Sequence, residues 1–194
     1  ILYGSEYLTD GVLSGVQRQS TTTAANFTGT SGADRLLGNA GADTLTGGGG
    51  ADVIYGGAGN DVMSIADSNF LRIDGGTGVD TLKLAGTNMS LLLGSVGDSK
   101  LQSIEIVDMT GAGTNTLRLT ALEVLNMTES KNVSINGYQT AHTLVVAGDS
   151  GDIVDYTDSG WAYKGTATGY SGYGNVSGGT FSVYQYGSDN IYVA

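Results

Sequence analysis

The chain contains no cysteine and no proline, one histidine, and eight lysines and arginines against nineteen aspartates and glutamates. Without cysteine there is no disulfide framework and no thiolate for zinc, copper or iron–sulfur ligation. A single histidine leaves imidazole-rich metal and haem sites little to work with. The formal charge of −11 is the opposite of the basic patch that nucleic acid or an anionic membrane surface requires. No run reaches the ~18 apolar residues of a bilayer span, so membrane insertion is not expected. No basic segment followed by an apolar core opens the chain, so no cleavable signal is visible. Because it begins on Ile1 rather than Met, the expectation is a piece of a longer protein.

What the chain has in excess is glycine, 33 of 194 residues, and much of it is periodic. Four nonapeptides stand end to end at 29–37, 38–46, 47–55 and 56–64: GTSGADRLL, GNAGADTLT, GGGGADVIY and GGAGNDVMS. Glycine holds the first and fourth places, aspartate the sixth, and Leu, Ile or Met the eighth. A fifth copy, GGTGVDTLK at 75–83, follows an irregular ten-residue segment, IADSNFLRID. A short fixed period is the mark of a solenoid. Six residues of each unit form a turn, where glycine supplies φ > 0 or close backbone approach, and three form a strand. Leu36, Leu45, Ile54, Met63 and Leu82 point inward, since alternate strand residues face opposite sides.

Two units make one coil, so like positions recur every 18 residues. That stacks Asp34 over Asp52 and Asp43 over Asp61, and brings Asp61 near Asp80. Carboxylates so close repel one another unless a cation lies between them. Calcium suits such a gap, because it takes about 6–8 oxygen ligands and accepts backbone carbonyls, whereas magnesium demands a tighter octahedron. Asp-Gly pairs alone would explain scattered turns, not aspartate at one phase in consecutive units. Three calcium ions would bring six positive charges, reducing the formal charge to about −5.

These residues resemble the repeats-in-toxin (RTX) family, whose consensus is GGxGxDxUx. The resemblance implies an all-β, right-handed parallel β-roll or β-solenoid with calcium between turns of successive coils. In that family the lower turn offers the carbonyls of positions two and four plus its aspartate. The upper turn offers the carbonyls of positions one and three plus its own. Carried over, one site is Thr30, Gly32 and Asp34 with Gly47, Gly49 and Asp52. A second is Asn39, Gly41 and Asp43 with Gly56, Ala58 and Asp61. A third is Gly57, Gly59 and Asp61 with Gly75, Thr77 and Asp80. About three or more Ca2+ ions are expected. The pattern breaks at 65–74, where Phe70 stands where an aspartate would pair with Asp52 and Asp67 is the candidate to substitute as ligand. Thr30 and Asn39 replace the second glycine.

Outside the repeats, residues 1–28 are expected to form an N-terminal cap or the end of a preceding domain, with short strands at 1–8 and 11–16 and a polar connector at 20–26. Residues 29–83 form the calcium roll, 84–160 a calcium-poor solenoid extension, and 161–194 an aromatic β cap carrying part of a secretion signal. Strand-like segments fall at 81–84, 103–108, 115–120, 123–127, 132–136 and 143–147, with a short helix near 89–94 or 119–125 as the competing pattern. Asp98, 18 residues after Asp80, could extend the calcium row, and GDSGDIVD at 148–155 reads as a surface turn or one degenerate repeat. A closing hairpin is expected at 180–186 and 190–193. The tyrosines of the tail, Tyr163, Tyr170, Tyr173, Tyr184, Tyr186 and Tyr192, are expected to cover the open edge, with glycan stacking as the alternative.

No catalytic set assembles: His142 is isolated and is expected to be an ordinary surface or edge histidine, and neither GxSxG nor HExxH occurs. Paired aspartates can mark a glycosidase, but their fixed phase in glycine turns marks metal ligands. The layout, including IEIVDMTGAGTNTLRL and LVVAGDSGDIVD, resembles the C-terminal end of large bacterial RTX adhesins. That resemblance implies type I secretion, a cell-surface location, a monomer, and a glycan, host or biofilm surface as partner. RTX repeats also follow secreted hydrolases and toxins, the other setting for such a chain.

Overall fold

The computed structural model describes residues 15–21, 23–111, 113–128, 134–135, 138–139, 142–156, 160–168, 180–186 and 189–193. Strands β1 (Gln17–Gln19), β2 (Asn26–Thr28), β3 (Arg35–Ala40), β4 (Thr44–Gly48), β5 (Val53–Ala58), β6 (Val62–Ile65), β7 (Arg72–Thr77) and β8 (Thr81–Leu84) alternate between two sheets. Odd strands pair with odd and even with even, all in parallel. This is the parallel β-roll the nonapeptides imply. β1 and β2 make a full coil ahead of the first nonapeptide, so the stretch expected to be only a cap and connector already belongs to the solenoid. The strand expected at 1–8 and most of that expected at 11–16 lie outside the described residues.

The register turns the eighth repeat position into a core column. Leu36 sits opposite Ile54 and Ile54 opposite Ile73 in one sheet. Phe27, Leu45, Met63, Leu82, Val107 and Val146 follow one another across the other. Apart from half-buried Phe27, these side chains are fully buried. Ile73 keeps the column intact through the irregular segment, although no repeat consensus surrounds it. Each such aliphatic side chain contributes roughly 1.5–3 kcal/mol on burial.

Beyond β8 the solenoid widens. β9 (Ser90–Leu92) opens a third face, continued by β12 (Thr116–Leu119) and β16 (Ile153–Tyr156), all parallel. The first sheet ends on β10 (Leu101–Gln102), and the second proceeds through β11 (Ile106–Asp108) and β15 (Thr143–Ala147). A two-residue antiparallel pair, β13 (Ser134–Ile135) with β14 (Tyr138–Gln139), stands apart. The strand expected at 123–127 is instead the end of helix α1 (Ala121–Met127). Ala121, Val124 and Met127 are buried at helical spacing, and the Glu123 carboxylate accepts the Thr120 amide at 2.6 Å, closing the first turn.

The tail closes as an antiparallel meander of β17 (Ala162–Thr168), β18 (Thr180–Tyr186) and β19 (Asp189–Val193), with β19 parallel to β15. The expected hairpin is present, extended by β17. Tyr156 packs on Tyr184 with ring centroids 4.8 Å apart, and Trp161 and Tyr186 join the cluster. Tyr170 and Tyr173 lie outside the described residues.

Candidate metal centre

The repeat turns owe their shape to glycine for two separate reasons. Positions two and four take left-handed backbone, as at Gly57 (φ +118°) and Gly59 (φ +132°). Position one needs space instead: a Cβ on Gly56 would stand 2.3 Å from Asp61 Oδ2 and 2.6 Å from the Gly75 carbonyl oxygen. Gly38 presents the same cradle, 2.1 Å from Asp43 Oδ2 and 2.4 Å from the Gly56 carbonyl. One point at each turn is thus surrounded by a carboxylate oxygen and the carbonyl of the coil above.

The aspartates form ladders through their Oδ1 atoms. The Asp34 amide donates to Asp52 at 2.9 Å, the Asp43 amide to Asp61 at 2.8 Å, and the Asp61 amide to Asp80 at 2.8 Å. At the lower ends, the amides of Val16 and Ala25 donate to Asp34 and Asp43. All five carboxylates have at most 1% of their surface exposed. Asp43 Oδ2 and Asp61 Oδ2 nevertheless accept no hydrogen bond among the described residues. Burying an ionised oxygen without a partner is costly, so an electrophile belongs there. Burial pushes the Asp52 and Asp61 carboxyls up to about 6 from 3.8. The amides of Asp34 and Asp43 oppose that shift. The charges of Asp34 and Asp67 add to it at Asp52, and that of Asp43 at Asp61. Asp43 shifts in the same direction, desolvation outweighing the Ala25 amide.

The carbonyls proposed for the lower turns lie against the turns above them. Thr30 and Gly32 oxygens face Gly48 and Gly50, Asn39 and Gly41 face Gly57 and Gly59, and Gly57 and Gly59 face Gly76 and Gly78. The carbonyls of Gly47, Gly56 and Gly75 sit beside Asp34, Asp43 and Asp61. Position three differs: the Ala58 carbonyl accepts the Gly41 amide at 2.7 Å and the Thr77 carbonyl the Gly59 amide at 2.9 Å. Those two oxygens already tie turn to turn. Gly49 faces Asp67 Oδ2. Among the described residues no three His, Cys, Asp or Glu side chains converge. Each cradle sets a carboxylate oxygen against the carbonyl of the coil above, an all-oxygen surrounding that suits a hard cation such as calcium.

Departures from the consensus have local causes. Asn39 takes the left-handed backbone that glycine holds elsewhere (φ +80°). Thr30 does not, because a β-branched residue resists that conformation; its amide and hydroxyl instead bond the Asp34 carboxylate at 2.6 and 3.1 Å. The irregular coil is one residue longer, so Leu71 rather than Phe70 aligns with Asp52 and donates its amide to the Asp52 carbonyl at 2.8 Å. Phe70 turns into the core. Asp67 reaches back to the Gly50 amide at 3.0 Å and so does approach the 47–52 turn. Asp98 is exposed in a turn and joins no ladder, because the coil above Asp80 is no longer 18 residues long.

Three ladder members among the described residues lie outside the nonapeptides. Glu105 accepts the Asp80 amide at 2.9 Å across 25 residues, a spacing no nine-residue period anticipates. On the third face Asp152 accepts the Asn115 amide at 2.7 Å, and Asn115 accepts the Met89 amide at 2.8 Å. GDSGDIVD therefore behaves as a repeat turn followed by a strand. His142 is half-buried, with Nδ1 3.0 Å from the Thr128 carbonyl, and faces no nucleophile–carboxylate pair among the described residues.

Residues 28–63 match the family model of the RTX calcium-binding nonapeptide repeat, in four copies. No curated protein and no solved structure matches the chain. With glycine cradles, stacked aspartates and parallel coils all in the places that repeat requires, residues 28–63 are RTX calcium-binding nonapeptide repeats, which bind Ca2+.

Proposed function

We propose that this chain is a calcium-triggered folding module at the C-terminal end of a type I-secreted bacterial cell-surface adhesin, without catalytic activity of its own. The carrying observation is the pair Asp43 and Asp61: both are buried and stacked, and each has an Oδ2 that accepts no hydrogen bond among the described residues. A fold that places like charges this way opposes itself until a cation binds. Extracellular calcium modules have Kd of roughly 10⁻⁴–10⁻³ M, far above cytosolic calcium. A ligand that binds only the folded form stabilises it by mass action. The chain would stay unfolded before export and fold outside, the repeat coils supplying the edge on which β10, β11 and β15 stack. We assign the three sites to the residue sets named above, with Asp61 and the Gly56–Gly59 turn shared by two of them. Folding outside would also hinder back-sliding through the exporter; secretion rates indifferent to external calcium would refute that step.

The test of the module is a calcium titration followed by circular dichroism, with magnesium as control. A cooperative coil-to-β transition at submillimolar to millimolar calcium, roughly the extracellular class, supports the reading. A chain already β-folded in chelator sinks it. Glycan recognition by the aromatic tail has support in the exposed Tyr163 (59%) and Tyr186 (42%). Tyr156, Trp161, Tyr184 and Tyr186 instead spend their faces on one another, which favours a cap over the solenoid's end.

A further inference from the structure

We propose that the open edge of β16 binds an extended peptide of a partner protein, added as one more parallel strand of the third face. The peptide carries a basic residue at its amino-terminal end and apolar residues at alternate positions. The inward column of that face runs from Leu91 through Leu117 to Val154. The first two are fully buried, whereas Val154 is only half-buried, as is Tyr156 beside buried Leu119. The core of this face is therefore covered at every level except the last. The second sheet goes further: β19, β18 and β17 follow β15, while no strand lies beyond β16 among the described residues. The step between the two heights is a cleft of about 190 Å3 lined by Met109, Val154, Tyr156, Tyr184 and Val193.

The backbone of β16 is presented to the same cleft. The Ile153 amide donates to the Asn115 carbonyl of the coil below at 2.8 Å. Successive residues of a strand turn their N–H and C=O to opposite sides, so those of Val154 face the open edge. An unpaired edge is a template for another strand unless lysine, proline or a bulge blunts it, and β16 has none of these. Its one charge, Asp155, is held on the outer face by Arg118 at 2.7 Å. The apolar floor asks for apolar side chains two residues apart on the added strand. Where β16 begins, the lining changes to Gly148, Asp149 and Asp152. Asp149 accepts the Gly111 amide and Asp152 the Asp149 amide, and neither carboxylate has a cationic partner among the described residues. All strands of this face are parallel, and a parallel addition sets the first residue of the peptide beside these carboxylates. An antiparallel one would bring its carboxyl end there, where like charges repel. A stacked sugar fits less well, because Tyr156 and Tyr184 already pack on each other at 4.8 Å. The site uses no residue of the nonapeptides, so its failure leaves the calcium reading standing.

The test is fluorescence anisotropy of a labelled pentapeptide, Lys-Val-Thr-Val-Thr, against the full chain in saturating calcium. Saturable one-to-one binding is expected. It should weaken by about tenfold or more when the amides on one side of the peptide strand are N-methylated, and change little when those on the other side are. Asp149→Asn, and a peptide with Glu in place of Lys, should each weaken binding several-fold, most at low salt. No binding, or equal effects of the two N-methylated sets, overturns strand addition. A Glu peptide that binds as well as the Lys peptide overturns the basic end. Self-association of the chain that the peptide disperses would make a second copy the occupant and overturn the partner. Because the N-methyl comparison uses the unmutated chain, it decides the matter even if Asp149→Asn does not fold.

Discussion

Asp61 and Asn115 occupy equivalent places in two columns of turns. Each accepts, through Oδ1, the amide of the coil below, from Asp43 and Met89. Each has its own amide taken by a carboxylate of the coil above, from Asp80 and Asp152. They differ in one atom. In Asp61 the second side-chain atom is an oxygen that accepts no hydrogen bond among the described residues; in Asn115 it is Nδ2, which donates to the Met109 carbonyl at 3.0 Å. The repeat column therefore asks for an external positive charge, while the third face carries its donor within the chain. A solenoid can stack its turns either way, and only the first makes stacking conditional on the medium.

Removing calcium should separate the two columns most sharply. In chelator the amides of Asp43 and Asp61 are expected to lose their hydrogen-exchange protection entirely; retained protection at both would erase the distinction. Next in size, Asp61→Asn alters two sites at once and should raise the calcium midpoint of folding by roughly tenfold or more, or about 1.4 kcal/mol. Circular dichroism titration measures it, and an unchanged midpoint would remove Asp61 from the sites. The reciprocal exchange, Asn115→Asp, strips the donor from the Met109 carbonyl and buries a charge. It should cost about 1–3 kcal/mol in denaturant melts at saturating calcium, with no recovery as calcium is raised further. Rescue by calcium would show that the third face also holds the ion.

The smallest effect is that of pH on the calcium-free chain. The folded carboxyls of Asp52 and Asp61 lie near 6, above their unfolded value of 3.8. A raised folded pKa stabilises the fold at low pH, fully below 3.8, and that stability is lost as pH rises through about 6. In chelator the β content should therefore grow as pH falls from 6 toward 4, while calcium affinity weakens over the same range because protons occupy the same oxygens. A chelated chain whose β content falls on acidification would contradict the burial of these carboxyls.

The nine-residue phase sufficed to place Leu36, Leu45, Ile54, Met63 and Leu82 in the core and to pair Asp34 with Asp52 and Asp43 with Asp61, because each contact spans one fixed coil length. Where the coil length changes, that reasoning stops. Glu105 was invisible because it lies 25 residues from Asp80, and Asp98, which keeps the period, is exposed. The lone turn at 148–155 could not be told from a surface loop until Asn115, 37 residues before Asp152, was seen beneath it. The run 123–127 reads as a strand, with a helix near 119–125 as the alternative, and the helix wins because Val124 and Met127 reach the core at helical spacing once Glu123 closes the first turn.

The amino-acid sequence by itself determined the repeat unit, its inward aliphatic position, and the need for a cation, since those follow from glycine conformations and charges repeating at one period. Tertiary structure alone decided which residues close the rows once the period lapses. Turns of unequal length bring Glu105 under the repeats' own geometry and give Asn115 a donor's task, and both assignments depend on where the stacked coils deliver a side chain rather than on its distance along the chain.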